Sequence, residues 1–327
     1  MLAAYVEECG PPEAIRFGEV PAPRPGPMDV LVDVEVSAVN AVDTMVRSAV
    51  FRTPVTFPFV IGRDLVGTVA AAAPGVPGFR AGDRVWCNSL GHGGRQGAAA
   101  VQAVVPGDRL YRLPENVDPV DAVAVLHPAA TAYLALFTHG RLRVGETVVV
   151  GGGGGNVGGA LIAMAAHAGA RVVATAAERD AERCRALGAD EVVDYRSPEL
   201  AAALRKACPD GADVHIDTSG RNDLDLAVGL LARRGRAVVL AGMGSRPALP
   251  AGALYAMDRS VVGFAISHAT TAELAQASVT VNRLLASGAL RAPATEVLPL
   301  SAAAEAHRRL ESGGVRGKLV LRVAPAG

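Results

Sequence analysis

The fold is decided by one stretch of the chain, which reads Thr147-Val148-Val149-Val150-Gly151-Gly152-Gly153-Gly154-Gly155-Asn156-Val157-Gly158-Gly159. The four β-branched residues at its start are suited to a strand that is buried on both faces. The glycines allow a sharp turn, and Asn156 can cap the helix that follows, from Val157 to about Ala170. With the apolar run 171–176 as the next strand, the stretch predicts a right-handed βαβ unit.

Three glycines of this turn, Gly153, Gly155 and Gly158, satisfy the spacing G-x-G-x-x-G. A bare match is a weak signal, because glycine-rich turns also arise for packing. Here the motif follows a strand and opens a helix, so free N–H groups at the helix start, around Asn156 and Val157, can bind a pyrophosphate. The stretch therefore predicts dinucleotide binding rather than a turn that serves packing alone.

Length and composition limit the other classes of function. The 327 residues predict two domains, and the equal numbers of basic and acidic residues, 32 each, argue against nucleic acid as a partner. No uncharged, unbroken apolar run is long enough to predict a membrane span, and the first residues lack the basic region of a signal peptide. The four cysteines are widely spaced without a C-x-x-C pair, which favours reduced thiols and a cytoplasmic location.

The chain up to about residue 118 is β-rich. Apolar or alternating runs at 30–36, 65–69 and 83–86 predict strands, and turns rich in proline and glycine separate them. Many short strands without long helical stretches predict a barrel-like domain. Between Asp118 and Gly140 the apolar residues take a helical period, which predicts a helix that leads into the nucleotide-binding domain.

Strands and helices alternate after the glycine turn. The sequence predicts short strands at 192–195, 213–218 and 236–241, and a helix at about 224–234. This alternation is typical of the α/β class and of a doubly wound parallel sheet.

The last part of the chain returns to the first domain. The run 260–266 reads as the last strand of the parallel sheet, and Thr270 with Glu273 matches a capping box for the next helix. A final helix at about 302–311 precedes a strand at 318–323, which we expect to pair within the first domain.

Several further motifs carry a family resemblance. They are Val39-Asn40-Ala41-Val42-Asp43, Gly62-Arg63-Asp64-Leu65-Val66-Gly67-Thr68-Val69, Gly78-Phe79-Arg80-Ala81-Gly82-Asp83-Arg84-Val85, Ala129-Ala130-Thr131-Ala132-Tyr133 and Gly317-Lys318-Leu319-Val320-Leu321. The whole chain resembles the zinc-independent quinone oxidoreductases (zeta-crystallin-like) of the medium-chain dehydrogenase/reductase superfamily. The resemblance implies a GroES-like β-barrel catalytic domain at 1–120 and 266–327, and an NADP-binding Rossmann domain at 121–265.

The resemblance also bears on metal binding. Zinc-dependent members of that superfamily have cysteine where Asn40 stands, and a His-Glu pair where Arg63 and Asp64 stand. Zinc is held by thiolate, imidazole or carboxylate, which an amide and a guanidinium do not replace. The second, structural zinc needs four closely spaced cysteines, and only Cys87 lies near that region. We therefore expect no metal.

Without a Lewis acid, alcohol oxidation is disfavoured. Hydride donation to a quinone or a conjugated enone needs less help, because the arriving charge spreads into a carbonyl oxygen. The resemblance assigns Asn40 as the hydrogen-bond donor to that oxygen, Asp43 as a loop-orienting carboxylate and Thr131 as a neighbour of the nicotinamide. Each has a simpler alternative: a turn-capping asparagine, a helix-start carboxylate and a hydroxyl bonded within its own helix.

Two residues are expected in the substrate pocket. Phe51 falls where the family often has an aromatic wall residue, although core packing explains it equally well. Met45 stands where relatives often carry tyrosine. Because a thioether cannot donate a proton, protonation of the product would fall to water, and the apolar floor suits a more hydrophobic acceptor.

The end of the second Rossmann strand bears on cofactor choice. Folds that prefer NAD place Asp or Glu there for the ribose diol, and by strand position this residue is Ala176. Spacing alone would allow Glu178 that contact. Arg179 is a nearby cation and Tyr195 matches a family tyrosine near the 2′-phosphate, although surface arginines on a helix are the simpler explanation. On strand position, the sequence favours NADPH.

The resemblance adds Gly242, Phe264 and Lys318 to the cofactor-binding residues. The predicted function is that of an NADPH:quinone oxidoreductase-type enzyme, a zinc-free reductase that transfers hydride to a quinone or enone. The alternatives are a 2-enoyl thioester reductase and a non-enzymatic, crystallin-like NADPH-binding protein.

The apolar strand at 260–266 also predicts assembly. As the last strand of the sheet it would leave unpaired N–H and C=O groups at an edge, which proteins usually cover. Members of the resembled family pair this edge with its twin across a two-fold axis, so we expect a homodimer.

Overall fold

The computed structural model describes residues 1–323. The chain forms two compact units, of which the first comprises Met1–His127 and the chain from Leu274, and the second comprises Pro128–Glu273. Each junction lies inside a helix. The domain bounds expected from the sequence, after residues 120 and 265, stay a prediction beside these unit bounds.

The first unit opens with short strands and two helices. They are β1 (Leu2–Val6), β2 (Arg16–Glu19), β3 (Asp29–Ala38), α1 (Ala41–Arg47), β4 (Phe59–Val60), β5 (Asp64–Ala72), β6 (Arg84–Cys87), β7 (Gln102–Pro106), β8 (Tyr111–Arg112) and α2 (Pro119–Tyr133). The predicted strands at 30–36, 65–69 and 83–86 are confirmed as β3, β5 and β6. Along β3, alternate valines face the core of this unit, which is why the strand forms here.

The second unit is an alternation of strands and helices. These are β9 (Thr147–Gly151), α3 (Asn156–His167), β10 (Arg171–Ala176), α4 (Glu178–Ala186), β11 (Glu191–Asp194), α5 (Leu200–Ala207), β12 (Ala212–Asp217), α6 (Leu224–Leu230), β13 (Leu231–Val239), α7 (Ala251–Tyr255) and β14 (Ser260–Gly263). The six strands are parallel, in the order β11-β10-β9-β12-β13-β14. The predicted doubly wound sheet is confirmed, and the strand order reverses between β9 and β12.

The last part of the chain returns to the first unit, as predicted. Its elements are α8 (Thr271–Ala286), β15 (Thr295–Pro299), α9 (Ala303–Glu311) and β16 (Lys318–Arg322). Strand β16 pairs antiparallel with β3, in a sheet of order β15-β16-β3-β5-β6-β8 to which β7 adds on β3. The capping box of α8 is confirmed: the N–H of Thr270 donates to Glu273 at 2.8 Å, and the N–H of Glu273 donates to Thr270 Oγ1 at 3.2 Å.

Short helices of other types complete the described elements. A π-helix continues α2 over Leu134–His139, and 3₁₀ turns lie at Pro12–Ala14, Gly107–Arg109, Ile266–His268 and Leu300–Ala302. The stretch Pro119–His139 is long and apolar enough to cross a membrane by length and composition, but 78% of its most apolar window is buried inside the protein. Such burial is typical of a core helix, so the described residues offer no clear membrane span.

Two local predictions are wrong. Helix α3 starts at Asn156 itself, and Gly155, in extended backbone, is its N-cap residue, because the glycine turn is one residue shorter than expected. The helix predicted at about 224–234 ends at Leu230. Leu231 is already extended and pairs with Ala212 of β12, so strand pairing ends this helix before its local pattern does.

Candidate functional site

The glycine turn of the second unit is a backbone cradle. Gly152 has φ +77°, in the region that favours glycine, and the N–H of Gly153 donates to the Thr175 carbonyl at 2.8 Å. A Cβ atom on Gly158 would lie 2.1 Å from the carbonyl oxygen of Gly152. The turn and the start of α3 therefore meet backbone to backbone, where the first N–H groups of a helix lack intrahelical partners and attract anions.

A cavity of about 510 Å³ lies at the carboxyl ends of the parallel strands. Its wall includes Gly152, Thr175, Asp217 and Thr218, which come from the ends of β9, β10 and β12 or from the turns after them. Ligands of open α/β sheets bind at this edge, at the point where the strand order reverses. The cavity and the cradle together fit a dinucleotide.

Two loops at this edge are tied together by Asn222. Its Nδ2 donates to the Ala241 carbonyl and to Ser245 Oγ, both at 2.9 Å. Gly242, a predicted cofactor residue, has φ +79°, and a Cβ there would lie 2.2 Å from the carbonyl oxygen of Gly220. The side chain of Asn222 is thus what holds Gly242 against the loop that follows β12.

The end of β10 brings two predicted residues together. Ala176 is the last residue of this strand, and its carbonyl accepts the N–H of Tyr195 at 3.4 Å. The Tyr195 ring is 39% exposed, with the Arg196 guanidinium carbon 5.3 Å from its centroid. Arg179 is half exposed and lies 3.7 Å from Asp180. Tyr195 therefore lies beside Ala176 and carries an exposed cation, Arg196, on its ring, which the sequence did not predict.

Phe264 is held by a stacked ring. It follows β14, and its ring lies parallel to the imidazole of His139, with 4.4 Å between centroids and 15° between planes. His139 is the last residue of the π-helix, a helix type that often occurs at functional sites. The stack fixes the orientation of Phe264 within the second unit.

The first unit contains a group of buried charged and amide side chains that we call the polar cluster. Its members, at the ends of β3, β5 and β16 and at the start of α1, are Asn40, Asp43, Arg63, Asp64 and Lys318. Two carboxylates and two cations share this site. Because buried charges are stable only when they are paired, their partners decide what the site can do.

Asn40 is the residue that joins the cluster. It is the N-cap residue of α1, and Asp43 accepts its backbone N–H at 2.8 Å, as a helix-start carboxylate does. The amide Nδ2 of Asn40 donates to Asp64 at 3.0 Å and to Asp43 at 3.3 Å. Asn40 therefore directs its amide hydrogens into the cluster, and its predicted role as a donor to substrate stays a prediction.

Lys318 is the buried cation of the cluster, and it is only 5% exposed. Its Nζ donates to Asn40 Oδ1. Burial lowers the pKa of Lys318, and burial raises the pKa of Asp64 to about 7, against the opposing charge of Lys318. The structure places Lys318 with Asn40 in the first unit, and its predicted contact with the cofactor stays a prediction.

Arg63 differs from the other charged members. It is 1% exposed, and its Nε lies 3.8 Å from Asp43 Oδ1, beyond hydrogen-bonding distance. Within residues 1–323, neither Nε nor Nη2 of Arg63 has a hydrogen-bond partner. Burial lowers the pKa of this guanidinium, while Asp43 and Asp64 raise it, and arginine stays protonated in proteins. Arg63 is thus a buried cation with two donor nitrogens that have no hydrogen-bond partner in the described chain.

The polar cluster does not suit a zinc ion. His127 Nδ1 lies 3.7 Å from Asp64 Oδ1, so two side chains of the right chemistry are close. However, burial and the charges of Arg63 and Lys318 lower the pKa of His127, which shows that both cations act on the same place. Within the described residues, no group of three or more His, Cys, Asp or Glu side chains could hold a metal ion.

The structure brings the two expected pocket residues together. The N–H of Phe51 donates to the carbonyl of Met45 at 2.9 Å, just after α1. Phe51 is partly buried and packs against the core of the first unit, as its simpler explanation requires. Thr131 is buried in α2.

Sequence reasoning missed part of both regions. Asp217 and Asn222 could have been found, because they lie at or after the carboxyl end of a parallel strand, where ligands bind. The unpartnered donors of Arg63 could not have been found from the sequence. They depend on which side chains from other strands form hydrogen bonds with the neighbouring carboxylates.

Two family models match the chain. The alcohol dehydrogenase GroES-like domain matches residues 26–115, and the zinc-binding dehydrogenase model matches residues 187–321. The first match lies in the first unit, and the second extends over much of the parallel sheet and the returning segment.

Full-length relatives agree with these matches. The quinone oxidoreductase of Rattus norvegicus is 31% identical over 325 residues, which cover 98% of this chain and 97% of the relative. Among solved structures, an NAD-dependent alcohol dehydrogenase is 32% identical with a TM-score of 0.88, covering 99% of this chain and 100% of its own. A mycobacterial protein in complex with NADPH is 29% identical with a TM-score of 0.85, covering 98% and 100%. The expected pairing of a GroES-like and a Rossmann domain is confirmed.

Proposed function

Because this chain belongs to the quinone oxidoreductase family of the medium-chain dehydrogenase/reductase superfamily, we propose that it is an NADPH-dependent, zinc-free reductase of quinones or conjugated enones. The observation that carries the proposal is the pair of buried cations, Arg63 beside Asp43 and Lys318 bonded to Asn40, among residues where a metal would need ligands. A guanidinium and an ammonium group offer hydrogen-bond donors and no lone pair to a metal ion. Such donors favour negative charge that appears on a bound acceptor.

The second unit would hold the cofactor, whose bound nicotinamide supplies the hydride. Backbone N–H groups at Asn156 and Val157 would bind the pyrophosphate, because glycine at Gly158 lets the turn and the helix approach closely. Asp217 and Thr218 line the cavity where the adenosine part would bind. Phe264, fixed by its stack on His139, would contribute a rigid wall.

The first unit would hold the acceptor. Asn40, Asp43 and Asp64 keep the start of α1 in one geometry through their mutual hydrogen bonds. Met45 and Phe51, joined by a backbone hydrogen bond, offer an apolar surface for a planar acceptor. Since a thioether cannot donate a proton, water would supply the proton of the product.

The choice of NADPH rests on the end of β10. Ala176 puts no carboxylate there, whereas Arg196 on the Tyr195 ring and the nearby Arg179 provide positive charge. A 2′-phosphate is attracted by such cations, and a ribose diol gains nothing from them. Glu178, the first residue of α4, is exposed.

A homodimer is part of the proposal. Strand β14 is at the edge of the parallel sheet, and Tyr255 and Met257 nearby are 81% and 38% exposed. Pairing β14 with its twin would cover this apolar edge. Sedimentation at micromolar concentration should show a dimer that Val262→Pro weakens, since proline removes an edge donor. A monomeric wild type would contradict the proposed homodimer.

The low net charge of the chain and its reduced thiols favour a cytoplasmic location.

An assay of cofactor oxidation with several acceptor classes tests the function. We expect NADPH oxidation with quinones and conjugated enones, and much slower oxidation with crotonyl thioesters. Faster turnover of the thioesters would favour the 2-enoyl thioester reductase. NADPH binding without oxidation by any acceptor would favour the non-enzymatic alternative.

A further inference from the structure

Three arginines are buried among residues 1–323, and two of them are tied by hydrogen bonds. Arg236, in the second unit, donates to the Gly140 carbonyl at 2.6 Å and to both carboxylate oxygens of Glu146 at 2.7 and 3.1 Å. Arg47, in the first unit, donates to the Gly10 carbonyl and to Glu311. All three guanidinium nitrogens of Arg236 and both Nη atoms of Arg47 are therefore partnered, while Nε of Arg47 has no hydrogen-bond partner in the described chain.

Arg63 differs from both, because two nitrogens of the same guanidinium edge lack partners in the described chain. It is as buried as Arg47, at 1% exposure, yet its Nε and Nη2 lack hydrogen-bond partners within the described chain. These two nitrogens form one edge of the guanidinium, and their N–H groups point the same way, as a fork. A fork of this kind matches an oxygen acceptor that carries negative charge.

The neighbouring carboxylates do not fill the fork: Asn40 holds Oδ2 of both, and neither carboxylate makes a hydrogen bond to the Arg63 edge. Asn40 donates its backbone N–H and Nδ2 to Asp43, and Nδ2 also to Asp64. Asp43 is then left at 3.8 Å from Arg63 Nε. Asn40 thus binds one oxygen of each acid, and Asp64 Oδ1, like the Arg63 edge, is buried without a hydrogen-bond partner in the described chain.

We propose that Arg63 is a catalytic residue whose Nε–Nη2 edge binds the carbonyl oxygen of the acceptor and stabilises it as it becomes an oxyanion. This inference rests on the proposed function and names the group that replaces the Lewis acid. It also names the acceptor class as one in which charge collects on a single carbonyl oxygen, such as a conjugated enone.

The step balances without a proton from Arg63. The enone takes a hydride, with the electron pair of the C–H bond that breaks, from the reduced nicotinamide, which is oxidised; the new C–H bond forms at the β-carbon, and the π electrons move to give an enolate. Arg63 donates two hydrogen bonds to the enolate oxygen and keeps its protons. A proton from water then gives the saturated ketone.

The test compares the same substitution at two equally buried arginines. Arg63→Met removes the charge and the fork, and Arg63→Lys keeps the charge but loses the planar fork. Arg47→Met is the matched control, because Arg47 is equally buried but bonded to the first unit's own groups. Melting temperature and NADPH binding show that each full-length variant is folded.

Two readouts are measured. Benzoate, a planar oxyanion, is titrated by calorimetry without acceptor, and kcat/KM is measured with 2-cyclohexenone. We expect Arg63→Met to weaken benzoate binding by about tenfold or more and to lower kcat/KM by about 100-fold, with NADPH affinity unchanged. Arg63→Lys should fall between this variant and the wild type. Arg47→Met should lower the melting temperature and leave benzoate affinity unchanged.

Four results decide between the proposal and its alternatives. Wild-type protein that binds benzoate no better than Arg63→Met would overturn it, as would an Arg63→Met variant with wild-type kcat/KM. Equal losses of benzoate affinity in Arg63→Met and Arg47→Met would also overturn it, since a merely structural arginine behaves in this way. Benzoate binding that depends on Arg63, in a wild type that reduces no acceptor, would refute the proposed function and support the oxyanion site.

Discussion

In the glycine turn of the second unit the groups available to a ligand are backbone N–H groups, whereas in the polar cluster of the first unit they are buried charged side chains. The turn needs residues that have no side chain, because a Cβ at Gly158 would lie 2.1 Å from the Gly152 carbonyl oxygen. The cluster needs side chains from β3, β5, β16 and α1 to meet in one place.

The difference shows how substitutions should affect the stability of each site. A backbone cradle is stable without its ligand, because its N–H groups sit at a helix end that water can reach. A buried cluster of two acids and two cations is stable only while its partners are complete, since an unpaired buried charge is costly. Single substitutions should therefore damage stability in the first unit more than in the second.

The largest effect is expected at Lys318. Lys318→Met leaves Asn40 Oδ1 and Asp64 without their cation, and should lower the free energy of unfolding by about 3–5 kcal/mol at neutral pH. Chemical denaturation measures the loss. The chain has one other lysine, Lys206, which is exposed in α5, and Lys206→Met should change stability by less than about 0.5 kcal/mol.

A second variant sharpens this prediction. Adding Asp64→Asn to Lys318→Met removes the carboxyl group that has lost its neighbouring cation and should restore part of the lost stability. If Lys318→Met costs no more than Lys206→Met, the cluster does not stabilise the first unit as described.

A smaller effect is expected at the glycine turn. Gly158→Ala forces the turn and α3 apart, which should cost about 1–3 kcal/mol of stability and weaken NADPH binding. The control is Gly229→Ala in α6, where a Cβ would meet nothing within 4 Å. It should raise stability by up to about 1 kcal/mol. Equal behaviour of the two variants would contradict the close approach at Gly158.

The pH dependence of stability separates the two regions further. Burial raises the pKa of Asp64 to about 7 in the folded chain, against roughly 3.9 when unfolded. Between these values the folded state holds a proton that the unfolded state releases. The contribution of Asp64 to stability is therefore complete below pH ~4 and is lost as the pH rises towards about 7.

The variant Asp64→Asn isolates this contribution. The stability of the wild type minus that of the variant, from urea unfolding, should fall as the pH rises through this window. A difference that stays constant or rises would show that Asp64 is ionised in the folded chain.

The smallest effect concerns cofactor choice. Ala176→Asp places a carboxylate at the end of β10, which repels a 2′-phosphate and can bind a ribose diol. The ratio of kcat/KM with NADH to that with NADPH should rise about tenfold, or about 1.4 kcal/mol. Ala202→Asp, on the exposed face of α5, should leave it unchanged. An unchanged ratio in Ala176→Asp would mean that another residue sets the preference.

The two regions also differ in how far the sequence predicts them. The second unit was predictable because its signals are local: the valine run, the glycine spacing and the alternation of strands and helices. The wrong predictions in this unit are local too. The start of α3 at Asn156 depends on one residue of turn length, and the end of α6 depends on the pairing of Leu231 with Ala212.

The first unit was predictable in its strands but not in its chemistry. Asn40 and Asp43 were singled out by a motif, yet their bonds to Asp64 and Lys318 join residues that are far apart in the chain. Whether Arg63 has a hydrogen-bond partner also depends on how the side chains of Asp43 and Asp64 are oriented. The spacing of residues in the sequence cannot predict these contacts, because they form only when β3, β5, β16 and α1 pack together.

The central claim is that the fixed cations of the first unit, Arg63 and Lys318, stabilise negative charge on the acceptor without a metal. In zinc-dependent members of the superfamily a Lewis acid has this role. The most direct test is the rate of NADPH oxidation with a quinone, measured on protein that has been treated with a chelator and analysed for metals. We expect no stoichiometric zinc in the purified protein and an unchanged rate after chelation. One tightly held zinc per chain, with activity that is lost on its removal and regained on its return, would contradict the claim.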